Sequence, residues 1–342
     1  MVKRPTINDL ALAAGVSVAT VDRVLNKRHP VRRDTASRVL TAAESLGFYA
    51  TGLIRQRVAE APQRTFSFLL QKRSDVFYQA LGEGLAGATR AALDIRGTAI
   101  VEFMDELVPA TIAERLRAAG LRSDAVAVVA VDHPHVTAAI EELSARGVPV
   151  FTLLSDLTAP SRAGYIGCDD RKRGRTAAWT IARTGRAPST IGVLVGSHRY
   201  LGQELAEISF RSYFREKAPD FRVLETLVNL EDPRIAYEAV LDLLAAHRDL
   251  GGIYVAGGGM EGVIRAVRDE GMTGRIVVVC NELKPETREA LVDGTVDMVL
   301  STPIPMLAAR VVEAMIGVLG RSAIEGVRQI FVPAELYISE NV

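Results

Sequence analysis

The chain has little of what most enzyme chemistry needs. It holds two cysteines and five histidines in 342 residues. Cys168 and Cys280 lie far apart, each closing an apolar, strand-like run (AGYIGC and RIVVVC). Two thiols cannot staple a chain of this length, so buried free thiols in a reducing compartment are expected. No HExxH and no Ser-His-Asp set appears, which argues against a metal site, a catalytic nucleophile and an enzyme; no cofactor is expected either. The triple glycine 257–259 lacks GxGxxG spacing and the Lys-Ser/Thr of a phosphate loop, and reads instead as backbone that a ligand can approach. No run reaches the roughly 18 apolar residues that span a bilayer. The opening MVKRPTINDL is polar. No membrane partner and no secretory leader are therefore expected, and the expected location is the cytoplasm.

Net charge is absent as well, with 41 basic against 41 acidic side chains. Taken alone, that argues against nucleic acid. The distribution says otherwise. Residues 1–58 carry ten Lys/Arg (Lys3, Arg4, Arg23, Lys27, Arg28, Arg32, Arg33, Arg38, Arg55 and Arg57) and four acids (Asp9, Asp22, Asp34 and Glu44). The first 58 residues are thus +6 and the rest −6. A basic arm joined to a domain with another task is implied. At 48% hydrophobic, the chain has ample material for more than one buried core.

Within the basic arm, Thr6 can cap a helix with Asp9 three residues on. Ile7, Leu10, Ala11 and Ala14 then share one helical face. Gly15 breaks that helix and Ser17 can cap the next. Stepping about 100° per residue from Val18 puts Thr20, Val21, Val24 and Leu25 on one side, and Val18, Ala19, Asp22, Arg23 and Asn26 on the other. Small apolar groups near the N-terminus followed by polar ones suit a helix that enters a major groove by its N-terminal end. Val18 and Ala19 can meet thymine methyls, and Arg23 a guanine edge or a phosphate. Thr6, Ser17 and Thr20 complete the expected DNA-facing set. A third helix over about 32–46 turns Ala36, Val39, Ala43 and Leu46 inward, with Gly47 as its stop.

TINDLALAAGVSVATVDRVLN, then Pro30-Val31 and RVLTAAESLGF at 38–48, resembles the headpiece of the LacI/GalR family of bacterial repressors. The family mostly reads TVSRVLN, so Asp22 stands where it has Ser. Three accounts of Asp22 remain open. It accepts from cytosine N4, or it pairs with Arg23 or Lys27 and orients a base-reading cation, or it repels phosphates and lowers nonspecific affinity. The linker departs too. Ala50-Thr51 replace the family's Pro-Asn, and by register Arg57 replaces the minor-groove Leu of the hinge helix. Leu53 or Ile54 are the alternative wedges, Arg57 itself suits an AT-rich minor groove, and Gly52 favours a flexible tether instead.

From residue 65 strands and helices alternate. Strand-like runs lie at 66–70, 98–103, 125–131, 148–154 and 163–168, and again at 190–196, 221–227 (FRVLETL), 251–257, 275–280 and 296–300. Two such sets mean two parallel-sheet lobes, α/β in class, with a ligand cleft facing their strand C-termini. This half resembles the ribose-type periplasmic sugar-binding fold, which the family uses as its sensor. The expected division is a three-helix helix-turn-helix headpiece at 1–48, a linker at 49–65 and a two-lobed effector-binding and dimerisation domain at 66–342. Lobe 1 spans about 66–169 and 301–322, and lobe 2 about 170–300 and 323–342. Helix 305–319 is expected on the first lobe, and strand 329–333 in the second.

Cleft candidates follow the strands. Phe77 and Tyr78 match the family's aromatic pair against a sugar ring, or else pack their own helix. Asp156 accepts sugar hydroxyls, or caps a solvated loop. Asp169-Asp170 reads as a hinge-side turn or helix cap, with a ligand role as the alternative. His198, Arg199, Glu204 and Arg211 are the candidates in the polar stretch 196–216, where Ala206 takes the place of the family's ligand-clamping Arg. Arg199 and Arg211 together hint at an acidic ligand. Asn281 and Glu282 lie where the family has a hydroxyl-binding Asp, and Thr302 where it often has a Gln. The resemblance implies a homodimeric repressor that reads near-palindromic double-stranded operator DNA and senses a sugar or polyol. A corepressor or a nucleobase is the alternative effector. The rival from another class is a DNA-tethered, sugar-acting enzyme.

Overall fold

The computed structural model describes residues 5–26, 31–52, 54, 61–105, 107–185, 189–319 and 326–342. Helix α1 (Ile7–Ala14) opens on a capping box: the Thr6 hydroxyl accepts from the Asp9 N–H at 3.3 Å and the Asp9 carboxylate accepts the Thr6 N–H at 2.8 Å. Gly15 ends it at φ +62°, where a Cβ would stand 2.8 Å from the Arg38 guanidinium. That guanidinium donates to the Ala14 and Gly15 carbonyls, so Arg38 holds the turn. Helix α2 (Val18–Asn26) follows, its Thr20 N–H donating to Ser17 Oγ at 3.2 Å. Helix α3 (Arg33–Leu46) stops at left-handed Gly47.

Leu10, Ala14, Val21, Val24, Ala36, Val39 and Ala43 form the headpiece core. Leu46 is 36% exposed, contrary to its expected inward position. By the last turn of α3 the core is already closed by Phe48, Ala50 and Ile54 from the chain beyond it. Leu93 of the first lobe packs on the same cluster, and Arg32 bridges to Ala92.

The first lobe is a six-stranded parallel sheet. Its strands are β1 (Gln63–Gln71), β2 (Arg96–Met104), β3 (Ala125–Val128), β4 (Val150–Leu153), β5 (Gly164–Cys168) and β12 (Arg328–Val332), in the order β12-β5-β4-β3-β1-β2. Alternation along β1 sends Phe66, Phe68 and Leu70 to one face and Leu69 to the other, so both faces are buried. Helices α4 (Val76–Ala91) and α12 (Ile304–Val318) cover the first face, α5 (Pro109–Gly120) and α6 (Pro134–Ala145) the second.

The second lobe orders β13 (Glu335–Tyr337), β11 (Met298–Ser301), β10 (Val277–Asn281), β9 (Leu250–Val255), β6 (Thr190–Val195) and β7 (Arg222–Val223), with β8 (Leu227–Val228) also on β6. Helices α7 (Asp170–Thr184) and α8 (Leu201–Lys217) cover one face. The other carries α9 (Pro233–Ala246), α10 (Met260–Asp269) and α11 (Pro285–Val292).

The strand expected at 329–333 in the second lobe pairs in parallel with β5 of the first. Helix α12 packs Leu307, Val311 and Met315 into the first core, so the chain leaving it meets that sheet's open edge. Strand β13 returns to the second lobe, antiparallel to β11. The stretch 221–227 is two short strands instead of one, because Thr226 turns its hydroxyl to Glu207 and Arg211 between them.

Candidate functional site

Two surfaces carry chemistry. On α2 the outward face is Val18, 45% exposed, with Ala19, Arg23 and Asn26 exposed and Asp22 half-buried. Ser17 and Thr20 share a hydroxyl contact at 2.8 Å at the helix start. Asn26 Nδ2 donates to Asp22 Oδ1 at 2.5 Å. The carboxylate one turn back therefore fixes the amide, a partner that the sequence reading did not weigh. Ile54, one of the alternative wedges, is 1% exposed inside the headpiece core. Leu53, Arg57 and Lys27 lie outside the described residues.

The second surface is the cleft between the lobes. Among the described residues five non-glycine positions have positive φ: Lys72, Leu154, Leu230, Glu231 and Glu282. Every one sits just beyond a strand. Such backbone costs of order 1–3 kcal/mol per residue and gathers where function fixes it. Leu154, Glu231 and Glu282 line a cavity of about 110 Å³. Phe77 and Tyr78 join them there, edge to face with centroids 5.3 Å apart. Gly257 and Gly258 form part of the wall, and a Cβ on Gly257 would stand 2.8 Å from Gln203 Oε1.

Charged groups knit the lobes across this cavity. Lys284 Nζ of the second lobe reaches Asp75 of the first at 2.9 Å and Glu261 at 3.1 Å. Burial works against its charge, but Glu261 and Asp75 outweigh it and hold the ammonium protonated above its ordinary range. Lys72 meets the Glu231 carboxylate at 3.4 Å and donates to the Glu231 carbonyl at 2.9 Å. Tyr200 OH donates to Gln71 at 2.8 Å, and the Gly202 N–H to Ser155 Oγ at 3.1 Å. Arg173, 7% exposed, donates to Glu282 at 3.0 Å and to Thr302 Oγ1 at 2.7 Å. Burial raises the Tyr78 and Tyr200 hydroxyls above their ordinary values, with Glu231 adding to the effect, so both stay neutral donors.

A family model described as "Periplasmic binding protein domain" matches residues 66–322, and one described as "Bacterial regulatory proteins, lacI family" matches residues 6–50. The chain belongs to the periplasmic binding protein domain family, with a lacI-family regulatory headpiece at its front. It is 28% identical over 278 residues to an uncharacterized HTH-type transcriptional regulator of Streptomyces limosus, covering 78% of this chain and 75% of that one. Over 93 residues, 26% of each chain, it is 39% identical to the maltose regulon regulatory protein MalI of Escherichia coli. Among solved structures, a solute-binding protein of Burkholderia graminis in complex with D-arabinose superposes with a TM-score of 0.74 at 18% identity, over 82% of this chain and 97% of that one. That likeness shows the fold.

Within this periplasmic-binding-type cleft the expected residues divide. Phe77, Tyr78, Asn281 and Glu282 line the cavity. Thr302 is buried behind it, donating to Glu282 and accepting from Arg173. Asp156 turns away: Arg162 grips it at 2.7 and 2.8 Å, and the Arg162 and Thr152 hydrogen bonds hold its carboxyl low against burial. Its neighbour Ser155 faces the cavity instead. Arg211 is held by Glu207, the Leu224 carbonyl and Thr226, outside the cavity. His198 is half exposed, 3.6 Å from the same Glu207. The hint of an acidic ligand from Arg199 and Arg211 loses its basis, since neither lines the cavity. Asp169 is the helix cap, accepting from the Lys172 N–H, whereas Asp170 lines the cavity.

The sequence reading missed Arg173, Gln203, Glu231 and Lys284. The rule of looking just past each strand reaches Lys284, three residues beyond β10, had it been carried one step further. Glu231 was hidden because β8 is only two residues long. Arg173 looked like part of a solvated charge run, RKRGR.

Proposed function

We propose that the protein is a transcriptional regulator whose affinity for operator DNA is set by a small polyhydroxylated metabolite bound between its lobes. Its α2 reads one half-site of a near-palindrome in the major groove, and a homodimer presents two such helices. It acts as a repressor in the cytoplasm, and the cleft takes a sugar or polyol. The observation that carries this reading is the cleft. Strained turns from both lobes converge on one cavity lined by charged and aromatic side chains, in a chain whose α2 exposes a face suited to a groove. A ligand that touches Tyr78 and Glu282 together is bound by both lobes, so its binding energy depends on how they are set. That difference is the requirement for coupling. Two neighbours fit this assignment: a maltose regulon regulatory protein matches over 93 residues, and a solute-binding protein in complex with D-arabinose shares the fold.

Selection from randomised DNA with the full-length protein tests the first half of the proposal. Enrichment of a near-palindrome is the expected outcome, and failure to enrich any site would overturn it. Titrating sugars and polyols against the selected site tests the second half. Weakened binding identifies an inducer, strengthened binding a corepressor.

A further inference from the structure

The cleft is acidic, and its acids are incompletely matched. Four carboxylates (Asp75, Asp170, Glu231, Glu282) and two cations (Arg173, Lys284) line the cavity. Adding the ion-paired neighbours Lys72 and Glu261 leaves the same excess of two negative charges. Lys284 serves Asp75 and Glu261, Lys72 serves Glu231, and Arg173 serves Glu282. Asp170 is the least matched of them: its side chain is 11% exposed, Arg173 meets it only in a long ion pair at 3.7 Å, and the Tyr165 hydroxyl beside it favours its charged form. Burial, with Glu282 adding to it and Arg173 opposing, pushes its carboxyl up to about 7. A buried charge without a full partner is costly and either takes a proton or finds a cation.

The other unmet groups point the same way. Asn281 lines the cavity at 6% exposure and its Oδ1 has no donor. Arg173 Nε is a buried donor without an acceptor. A ligand that satisfies this cavity therefore donates several hydrogen bonds, accepts at least one, and brings positive charge. A neutral sugar supplies the hydroxyls but brings no cation to Asp170. A sugar acid or phosphate adds charge of the wrong sign.

We infer that the effector is a polyhydroxylated amine, an amino sugar or amino polyol in its ammonium form, with the cationic nitrogen beside Asp170 and hydroxyls toward Glu282, Asn281 and Arg173. The inference rests on the small-metabolite reading above and narrows it.

Calorimetry on the full-length protein tests it. The probes are D-glucosamine, D-galactosamine and D-mannosamine, each beside its neutral parent hexose, with N-acetyl-D-glucosamine and D-glucuronate as neutral and acidic controls. At least one amine is expected to bind roughly tenfold or more tightly than its own parent, the effect of one well-placed charge pair. In Asp170→Asn, whose folding is checked by its melting curve, that preference should shrink to within about threefold. A parent hexose, the N-acetyl sugar or the glucuronate binding as tightly as every amine would overturn the inference and leave the sugar-sensing proposal standing. If no member of the panel binds, both fail. The wild-type comparison of amine with parent needs no variant, so the inference is exposed even if Asp170→Asn does not fold.

Discussion

The headpiece and the cleft store their information differently. The recognition face is local: nine residues of one helix, rotated in steps of about 100°, separate Val21 and Val24 from Val18, Arg23 and Asn26. The cleft is assembled from distant turns. Lys284 and Asp75 are 209 residues apart in sequence and 2.9 Å apart in space. On the headpiece, charges face water and act through salt-screened attraction. In the cleft they are buried, and the position of each partner decides whether a carboxylate is paired, protonated or left for a ligand. A spacing rule finds the first kind of site and cannot find the second.

The contrast can be broken most forcefully at Arg173. Arg173→Leu removes the cation facing both Glu282 and Asp170, and should cost about 3–5 kcal/mol in urea unfolding near neutral pH. A loss below about 1 kcal/mol would mean that the cleft charges behave like surface ones.

Asp170 gives the next largest effect, and a signed one. Its folded-state carboxyl lies near 7, above the ordinary 3.8, so the folded state keeps the proton longer. Stability from this group is therefore full at low pH and is lost as pH rises from about 4 through 7. Asp170→Asn should match wild type near pH 4 and exceed it by about 1–3 kcal/mol above pH 7 in paired melting curves. A pH-independent difference would contradict the assignment.

Asp156 sharpens the comparison from inside the sensor. Breaking its ion pair with Arg162 by Asp156→Ala should cost about 1–3 kcal/mol of stability and leave sugar affinity within about twofold. A large loss of affinity at unchanged stability would return Asp156 to the cleft.

The smallest change is expected on the headpiece. Asp22→Ser releases the Asn26 amide and should alter overall operator affinity by less than about 1 kcal/mol. Selection from randomised DNA should nonetheless show relaxed preference at one position in each half-site. If preference is unchanged and affinity simply rises, Asp22 acts by repelling phosphate.

Much of the architecture was legible because it follows from periodicity and caps. Thr6, Ser17, Gly15 and Gly47 mark the headpiece helices, and ten apolar runs mark the sheets. What failed was non-local. Alternation shows that 328–332 is a strand without showing which open edge receives it, and α12 decided that by its packing on the first lobe. At the cleft, residue type and position after a strand brought out Phe77, Tyr78, Asn281 and Glu282. The same reasoning misplaced Asp156 and Arg211, because a charged side chain takes whichever partner the fold brings nearest. For those two the partners were Arg162 and Glu207.

The most direct measurement is operator affinity of the full-length protein, by fluorescence anisotropy on its selected site, with and without saturating amine or hexose from the panel. A change of about fivefold or more, abolished by Arg173→Leu with ligand-free operator binding retained, is what coupling between cleft and headpiece requires. Operator affinity that stays constant while calorimetry shows the cleft occupied would contradict it.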